Sequence, residues 1–578
     1  MSSITFVTCF FDIYINEEVN IKIDARKSID KRIQYFEELL STGIQVMLYI
    51  SSSVHHYIKP LLTKYSNVMY KIIELEETFI MKTVNEHKDQ ITMPMNRCSL
   101  KDTLEFMVLM NCKVEFMNET IKTNPWNSTH FAWIDFSIFY IFKHPEYCKK
   151  WLTYLSSLQL NPSFLTFPGC YSKKMNPDDV KHTLDNIYWR FCGGFFIGDK
   201  DSVIDFYNLY AFHFPIFLNV YQKMVWEVNF WNWLECFTEW SPTLYYSHHD
   251  DGILKISSDY YSENISKSIT STTHYDYPNI HLYKPSSASY IEYKNQRILN
   301  TRYVNYTLCD DGSYIINSPD RRTLDTINYV SFLDENSIPK NYMKINEKVE
   351  LIDYLNRAKR HVSKGFEDIR LYVSNDQLKF IASTIQYSPL GQNRMVVGHY
   401  DINENTLHSM GLIEPPKPDT WCEKNWIPIS FNNIKEDCFI YSWNPFQVGK
   451  ITEDKTTLPE FSYKLEILLD RTYNFPLLDK IRGSSCFISY NETHLIGVVH
   501  YSEEYTPRHY YHVLVQLNKQ TLQIDFISQP FHFQKIGIEF CIGFNMVEKD
   551  FCFWISQMDR DPLYITMPVN HFKWTKIK

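Results

Sequence analysis

The chain has 578 residues, which is longer than one hydrophobic core usually supports and predicts two or three domains. Its 44% hydrophobic and 22% charged residues are typical of a globular protein, and the formal net charge of -9 gives no support for a nucleic-acid partner. No apolar run reaches about 18 residues, so we expect no transmembrane segment.

The 13 cysteines lack the paired spacing of a secreted scaffold, so they predict reduced thiols and a cytoplasmic protein. The apolar opening run is followed by Asp12 and has no basic leader, which indicates a first strand and not a signal peptide. Aromatic residues make up 16% of the chain, and because aromatic faces stack on sugar rings, they give some support for a carbohydrate ligand.

The first half alternates predicted strands and helices. Apolar runs predict strands at residues 4–11, 46–50 and 70–74, and helical periodicity predicts helices over residues 24–40 and 100–123. This βαβα order predicts an α/β domain with a mostly parallel sheet and helices on both faces. Ligands bind such sheets at the carboxyl ends of the strands.

The next predicted strand contains one carboxylate. Residues 131–139 are apolar or small except for Asp135. A charge at the end of a buried strand needs a metal, a cation or a substrate hydroxyl, and the alternative is an Asp that caps the next turn.

Three later segments of this half carry further candidates. Gly193 and Gly194 either let the backbone approach a ligand closely or form a tight turn. Residues 225–233 predict an aromatic helix in which Glu227 is either catalytic or the one acid of a core helix. Within residues 248–251, one His could join Asp135 around a divalent ion, or the pair of His lies in a solvated turn.

Residues 257–278 are rich in Ser, Thr and Tyr, and we place the domain boundary there, giving domains 1–265 and 266–578. Short strand-like runs then recur, with one predicted helix at residues 348–362. Units of about 50 to 80 residues with four strands each predict an all-β propeller of about five blades, and a pair of β-sandwiches is the alternative. The strand-like runs are residues 298–306, 369–373, 439–443, 486–489, 495–500, 512–517 and 551–556.

Polar side chains recur at similar places in these units. The inner strands of a propeller direct such groups toward a central pocket, so we expect a polar funnel, and Arg–Glu pairing between blades is the alternative. The set consists of Arg302, Asn305, Glu367, Asp368, Arg370, Glu423, Asn425, Arg482, Ser484, His500, Arg508, His512 and Glu539.

The first half resembles the HtrL/YibB-type group of glycosyltransferase-like proteins and their relatives in large DNA viruses. The matching parts are the opening run with Asp12, residues 133–136, residues 193–198 and residues 226–227. The resemblance implies a GT-A (Rossmann-type) fold and sugar transfer from a nucleotide sugar to a glycan or glycoprotein acceptor. For a viral member it implies the host cytoplasm or the virion.

The resemblance also implies roles for single residues. In the usual GT-A pattern, an Asp-x-Asp pair holds Mn²⁺ and the donor diphosphate, and here Asp135 matches the last Asp while Trp133 replaces the first. His249 is the implied second ligand of Mn²⁺ or Mg²⁺, Glu227 the implied general base, and Lys113 a second cation for the diphosphate. Donor or acceptor contacts are expected from Thr8, Phe10, Asp12, Lys113, Gly193, Gly194 and Phe195.

The second half resembles the five-bladed propeller of mannoside phosphorylases and related glycosidases. The matching segments are residues 365–370, 422–426, 482–485 and 538–540, with Ile369 where these phosphorylases have Pro. The resemblance implies an active hydrolase or phosphorylase, a degenerate sugar-binding module, or a second transferase-associated domain. If the propeller cleaves a glycoside, we expect its paired carboxylates to come from Asp368, Glu423 and Glu539.

Together these features predict a bimodular carbohydrate enzyme, a glycosyltransferase followed by a sugar-handling propeller. A glycosidase or phosphorylase active in the propeller alone and a glycan-binding protein without turnover are the alternatives. Two carboxylates about 5 to 10 Å apart across a pocket would support hydrolysis, whereas one carboxylate with several Arg would favour phosphate-dependent or binding roles.

Overall fold

The computed structural model describes residues 4–13, 28–319, 321–348, 363–388, 391–431, 434–453 and 462–577. The chain divides into two units, Met1–Tyr261 and Ser262–Lys578. The division falls slightly before the predicted boundary after residue 265, because Glu263–Asn264 already pairs with Phe531–His532 of the second unit. Residues 24–27 and 349–362, where helical structure is predicted, lie outside the described residues.

The first unit is mixed α/β, as predicted. Its strands are β1 (Ile4–Phe10), β2 (Gln45–Ile50), β3 (Val68–Ile72), β4 (His130–Ile134), β5 (Leu165–Gly169), β6 (Phe195–Asp199) and β7 (Thr243–Tyr246). Its α-helices are α1 (Ile29–Leu40), α2 (His55–Lys64), α3 (Phe79–Glu86), α4 (Leu104–Asn111), α5 (Lys113–Thr123), α6 (Pro145–Ser157), α7 (Val180–Thr183), α8 (Lys200–Tyr221) and α9 (Glu227–Phe237).

These strands form one sheet in the order β3-β2-β1-β4-β6-β5-β7. Strands β3, β2, β1 and β4 run parallel, whereas β6 is antiparallel to both β4 and β5. Because β6 runs opposite to β4, its first residue, Phe195, pairs with the last residue of β4, Ile134. The Asp135 N–H then donates to the Gly194 carbonyl at 2.9 Å. The sheet register therefore places Asp135 beside the two glycines.

The core explains why these strands are continuous apolar runs. Every residue of β1 and β4 is buried, as expected for strands covered on both faces. The predicted helix over residues 100–123 is two helices, because α4 ends at Asn111 and α5 begins at Lys113. Lys113 is buried at the start of α5, so a lysine enters the core.

The second unit is all-β among its described residues. Its strands are β8 (Glu263–Asn264), β9 (Ser271–Thr273), β10 (Lys284–Tyr293), β11 (Gln296–Val304), β12 (Tyr306–Leu308), β13 (Tyr314–Ile316), β14 (Leu324–Leu333), β15 (Pro339–Lys344), β16 (Asn346–Glu347), β17 (Ser363–Lys364), β18 (Glu367–Ser374), β19 (Gln377–Thr384), β20 (Arg394–Asp401), β21 (Thr406–Glu414), β22 (Ile427–Ile429), β23 (Cys438–Trp443), β24 (Phe446–Glu453), β25 (Tyr463–Arg471), β26 (Arg482–Gly483), β27 (Ile488–Ser489), β28 (His494–Glu503), β29 (His509–Asn518), β30 (Ile524–Ser528), β31 (Phe531–His532), β32 (Glu539–Val547), β33 (Asp550–Gln557), β34 (Asp561–Pro568) and β35 (Trp574–Lys576). Each predicted strand-like run overlaps one of these strands.

Antiparallel meanders organise this unit. They comprise β10-β11-β14-β15, β18-β19-β20-β21, β22-β23-β24-β25, β28-β29-β30 with short flanking strands, and β32-β33-β34-β9. Strand β9, from the start of the unit, pairs with β34, near its end, through Thr273 and Tyr564. A strand from the start of the unit thus completes the last meander. A ring of blades needs this kind of pairing to close.

No helix in the described ranges has the length and apolar character needed to cross a bilayer.

Candidate functional site

The first candidate site lies where β4 ends and β6 begins. Asp135 follows β4, Gly193 and Gly194 precede β6, Lys113 is the first residue of α5, and Glu227 is the first residue of α9. An acid in the first turn of a helix is stabilised by the helix dipole, which favours Glu227 at this position. We call the Lys113, Asp135 and Glu227 side chains, with the Gly193 carbonyl, the Lys113 cluster.

The Lys113 ammonium is saturated by its neighbours. Its Nζ donates to Glu227 Oε1 at 2.8 Å and to the Gly193 carbonyl at 2.8 Å, and it lies 3.2 Å from Asp135 Oδ1. Three acceptors match the three N–H donors of an ammonium. Burial alone lowers the pKa of Lys113, but the charges of Asp135 and Glu227 raise it above its usual value. The cation therefore has no donor left for a diphosphate, contrary to the sequence-based expectation.

Exposure separates the two carboxylates of the cluster. The Glu227 side chain is 7% exposed and the Lys113 side chain 1%, whereas Asp135 is 39% exposed. Glu227 is thus enclosed in the protein and paired with Lys113. This position does not suit a general base, because a general base must reach a sugar hydroxyl. Asp135 is the member of the cluster that a ligand can reach.

Neighbouring residues shape the cluster. The Trp133 indole N–H donates to Asp135 Oδ1 at 2.8 Å, so the residue at the expected first-Asp position supports the remaining Asp. A Cβ on Gly193 would lie 2.2 Å from Glu227 Oε1, and one on Gly194 would lie 3.4 Å from Asp135 Oδ2. Gly193 is therefore needed because the Glu227 carboxylate occupies the space of a side chain.

The residues present do not fit a divalent ion held by protein side chains. Among the described residues, no group of three or more His, Cys, Asp or Glu is arranged to hold a metal. Asp135 Oδ1 already faces an ammonium and an indole N–H. His249 is exposed as a whole residue, but its ring packs against Trp189 with centroids 5.0 Å apart. Burial of the ring lowers the pKa of His249 and the nearby Asp135 charge raises it, with a net decrease, so His249 lies near Asp135 without completing a group of metal ligands in the described part of the chain. Lys113 already places one positive charge 3.2 Å from Asp135 Oδ1.

The remaining residues expected to contact donor or acceptor lie mostly in the core. Thr8 and Phe195 are buried within the sheet, and Phe10 stacks on Phe136 with ring centroids 4.4 Å apart. Asp12 is exposed. Packing within the sheet therefore accounts for Thr8, Phe10 and Phe195.

The second candidate site is a cavity of about 600 Å³ in the second unit. Seven residues of the expected polar funnel line it: Arg302, Glu367, Asp368, Asn425, Arg482, His500 and Arg508. Several other residues that no sequence pattern marked as pocket residues also line it, including Tyr306, Asp311, Tyr314, Lys424, Glu504, Tyr510, Phe540 and Asp559. The cavity therefore combines both signs of charge with aromatic rings.

The Arg302 guanidinium contacts carboxyl groups that line this cavity. Its guanidinium lies 3.2 Å from Asp368 Oδ1 and 3.7 Å from Glu367 Oε1. Burial alone lowers the pKa of Arg302, and the charges around it raise it above its usual value. We call Arg302, Glu367, Asp368 and Asp559 the Arg302 cluster, because Asp559 is among those charges.

Asp559 is a buried carboxyl group that bonds to a tyrosine. The Tyr306 hydroxyl donates to Asp559 Oδ2 at 3.2 Å. Burial raises the pKa of the Asp559 carboxyl, Arg302 lowers it, and the nearby Asp368 raises it, with a net increase. A carboxyl of raised pKa beside further carboxyl groups is the arrangement that general acids use. Its one sequence signal is an Asp in the turn between the strongly apolar strands β33 and β34.

Three lining residues have left-handed backbone conformations. The φ angles are +54° at Asp368, +66° at Asn425 and +50° at Asp559. Asp and Asn tolerate this region better than other side chains, but it still costs energy and persists where the surroundings impose it. At Asp368 the cause is a bulge, because pairing between β18 and β19 shifts between Glu367 and Arg370. Bulges redirect side chains, here into the cavity.

Another side of the cavity is formed by a neutral histidine and two cations. His500 Nδ1 shares a 2.7 Å hydrogen bond with the Ser484 hydroxyl, and its ring stacks on Tyr510. Burial, with the charge of Arg482, lowers the pKa of His500, so its ring is neutral near pH 7. Lys424 and Arg482 form no ion pair with any described residue, which leaves two cations facing the cavity.

The other expected carboxylates are structural and do not line the cavity. Glu423 accepts the Trp426 indole N–H at 3.1 Å and also accepts the Thr420 hydroxyl. Glu539 accepts backbone N–H groups of residues 533–535 at 2.7 to 3.1 Å. Both carboxylates satisfy buried donors of their own loops, so neither is available for glycoside cleavage.

Asn305 and Arg370 also bond elsewhere. The Asn305 side chain accepts the Asp325 N–H at 2.7 Å, which fixes the turn after β11. Arg370 is buried, and its Nε donates to the Ser484 carbonyl at 2.6 Å. These two side chains and Ser484 support the walls of the cavity and do not line it.

His512 is a buried residue without polar partners. Neither ring nitrogen has a hydrogen-bond partner, and the ring packs against Phe531 and Phe533. Burial, with the charge of His532, lowers its pKa to about 3. His512 is therefore a neutral core residue and not a pocket residue.

The first half matches a known family model. Residues 2–227 match the model described as a bacterial protein of unknown function (HtrL_YibB). This match confirms the HtrL/YibB resemblance over a stretch that contains the Lys113 cluster, and its description states no activity. No curated protein matches the chain.

Several solved structures are similar to part of the chain. A β-1,2-mannobiose phosphorylase from Listeria innocua, in complex with β-1,2-mannobiose, is 10% identical, with 52% of this chain and 98% of that chain covered and a TM-score of 0.31. A glycosyl hydrolase from Bacteroides ovatus is 6% identical, with 51% and 87% covered and a TM-score of 0.32. The GH43_1 enzyme from Xanthomonas citri, complexed with xylotriose, is 7% identical, with 53% and 91% covered and a TM-score of 0.30.

Removing the Lys113 cation should destabilise the first unit. In Lys113→Met, Glu227 stays buried without its partner, and breaking a buried pair costs about 3 to 5 kcal/mol. We expect urea titrations followed by tryptophan fluorescence to show this loss in the free energy of unfolding. The double variant Lys113→Met/Glu227→Gln should lose less, because no buried carboxylate is left unpaired.

Asp135→Asn is the matched control for that experiment. The Asp135 side chain is partly exposed, so the variant should lose only about 1 kcal/mol or less of its free energy of unfolding.

The stabilisation by Lys113 should also depend on pH. Because the pKa of Lys113 is raised on folding, this stabilisation should be complete below the unfolded value of about 10.4 and disappear as pH rises through the folded value. Wild-type stability in Lys113→Met would contradict the proposed cluster.

His512 should make the second unit sensitive to acid. The unfolded pKa is about 6.5 and the folded pKa is about 3, so below pH 6.5 the unfolded state binds a proton that the native state does not. Stability should fall by about 3 kcal/mol between pH 7.5 and 4.5 through this group. His512→Phe should remove that part of the pH dependence in urea titrations. The exposed control His274→Phe should keep it, and equal pH dependence in wild type and His512→Phe would contradict the assignment.

Proposed function

We propose that the second unit is a five-bladed propeller that cleaves a glycoside, by hydrolysis or phosphorolysis, in the cavity of the Arg302 cluster. The observation that carries this proposal is the group of three carboxyl residues, Glu367, Asp368 and Asp559, around one buried guanidinium. Glycoside cleavage needs an acid for the leaving oxygen and a second carboxylate near the sugar. The five meanders, closed by β9, support the propeller architecture.

Asp559 is the proposed general acid. Burial raises its pKa, which favours the protonated carboxyl that an acid needs, and the Tyr306 hydroxyl donates to its Oδ2 atom. The proton passes to the glycosidic oxygen as the bond between that oxygen and the anomeric carbon breaks. Asp368, aimed into the cavity by the bulge in β18, is the proposed carboxylate on the sugar side.

The cavity supports sugar binding in two further ways. The rings of Tyr314, Tyr510 and Phe540 offer faces and edges on which a sugar ring can pack. Lys424 and Arg482 are available to bind an anion, which favours phosphate as the attacking group over water. The carboxyl groups suit either hydrolysis or phosphorolysis, and the cations suit phosphate binding. The dependence of product formation on phosphate therefore distinguishes the two reactions.

The test is a product assay on the full-length protein. Oligosaccharides, including β-linked manno-oligosaccharides, are incubated with and without inorganic phosphate. Sugar phosphate formed only with phosphate would identify phosphorolysis, and reducing sugar formed without phosphate would identify hydrolysis. Asp559→Asn should lower turnover about 100-fold or more, because the acid is removed.

Asp561→Asn is the matched control. Asp561 lies two residues further along the chain, is exposed and does not line the cavity, so turnover should stay at the wild-type level. Calorimetric binding of an oligosaccharide without turnover would assign a binding function instead. Absence of both binding and turnover would contradict the proposal.

We propose as a second candidate that the first unit, as a GT-A-like domain, transfers sugar from a nucleotide donor to a glycan or glycoprotein. The support is Asp135, a partly exposed carboxylate at the carboxyl end of a parallel strand in a mixed α/β sheet. In this proposal Asp135 contacts the ligand, and Lys113 and Glu227 position it. No step is assigned to a metal, because the residues do not fit one.

Thermal shifts of the full-length protein test this second candidate. A donor at about 100 times its Kd should stabilise the first unit by about 2.7 kcal/mol, with or without added Mn²⁺. Asp135→Asn should lose the shift, and the exposed control Asp89→Asn should retain it. A panel of nucleotide sugars that leaves the wild-type transition unchanged would overturn the candidate.

A further inference from the structure

Two cysteines of the first unit lie against each other. The Sγ atoms of Cys170 and Cys192 are 3.1 Å apart, and both thiols are free. Cys192 is buried, whereas Cys170 is partly accessible to solvent. A disulfide needs the two sulfurs at about 2.05 Å, so a movement of about 1 Å would join them.

The surrounding backbone holds the two cysteines in this arrangement. The Cys192 N–H donates to the Pro168 carbonyl at 2.7 Å, and the Tyr171 N–H donates to the Trp189 carbonyl at 3.0 Å. These bonds lie on either side of the thiol pair and tie the end of β5 to the segment before β6. The proximity of the sulfurs is therefore fixed by the backbone and does not depend on their own contact.

Arg190 and Gly169 reinforce the same junction. The Arg190 guanidinium donates to the Tyr171 carbonyl at 3.0 Å and to both oxygens of Glu235 at 2.9 and 2.7 Å. A Cβ on Gly169 would lie 2.7 Å from the Arg190 carbonyl, so glycine is needed for the two segments to approach. Gly169 and Arg190 therefore keep the two cysteine-bearing segments close together.

We propose that Cys170 and Cys192 form a reversible oxidation site, in which a peroxide converts the two thiols into a disulfide and a thiol reductant restores them. The accessible Cys170 sulfur attacks a peroxide oxygen, so that an S–O bond forms, the O–O bond breaks and water leaves. The Cys192 sulfur then attacks the Cys170 sulfur, so that the S–S bond forms, the S–O bond breaks and a second water leaves. Two thiols and hydrogen peroxide thus give one disulfide and two waters, with the thiol protons in the waters.

The position of the site links it to the Lys113 cluster. Cys192 directly precedes Gly193, whose carbonyl accepts a hydrogen bond from Lys113 at 2.8 Å. Oxidation would covalently attach the end of β5 to the segment that completes this cluster. Because a disulfide restricts the unfolded chain, we expect the first unit to unfold at a higher temperature when oxidised.

Peptide mapping of the full-length protein tests this site. The protein is treated with a small excess of hydrogen peroxide, denatured in the presence of an alkylating reagent and digested for mass spectrometry. We expect a peptide pair linked through Cys170 and Cys192, a loss of alkylation at these two thiols, and full recovery after dithiothreitol. The buried Cys9 and Cys112 serve as internal references and should stay alkylated.

Variants make the result specific. Cys170→Ser and Cys192→Ala should each abolish the linked peptide and the rise in unfolding temperature on oxidation. If Cys192→Ala does not fold, Cys170→Ser at the more accessible position supplies the same comparison. Alkylation of both thiols after peroxide, sulfinic acid at Cys170 without a link, or a link to another cysteine would overturn the proposal.

Discussion

The constraint on which both candidate sites depend is the cost of a charge inside a protein. A buried charge is tolerated only when an opposite charge or hydrogen bonds compensate for it. In the first unit the Lys113 ammonium joins Asp135, Glu227 and a backbone carbonyl. In the second unit the Arg302 guanidinium joins the Glu367 and Asp368 carboxyl groups of another strand, β18. Each cluster is built around one buried cation, and each determines which carboxyl group remains open to a ligand.

The two clusters differ in what they leave available. Lys113 has as many acceptors as donors, and Glu227 is enclosed, so the first cluster offers only Asp135 to a ligand. Arg302 keeps a buried Nε without a hydrogen-bond partner, and its carboxyl neighbours line an open cavity with further cations and aromatic rings. Three lining residues also hold left-handed backbone conformations, a cost that is typical of functional sites. The second unit therefore has more of the groups that chemistry on a glycoside requires.

Local patterns were sufficient to predict the α/β and all-β halves and the position of Asp135 at a strand end, because apolar periodicity reflects burial directly. They could not predict the partners of Lys113, since Glu227 lies 114 positions away in the chain. The same limit explains Glu539, whose three backbone donors become visible only when the loop is folded. Asp559 was missed because a single Asp in a turn resembles any solvated turn residue until Tyr306 and Arg302 are placed beside it.

The most direct test of the account is hydrogen exchange of the full-length protein, measured by mass spectrometry with and without a saturating oligosaccharide. If the carbohydrate site lies at the Arg302 cluster, we expect protection in the segments that carry Arg302, Asp368, Asn425, His500 and Asp559, with the segments of the Lys113 cluster unchanged. Protection confined to the segments around Lys113, Asp135 and Gly193 would contradict it, since the carbohydrate site would then lie in the first unit.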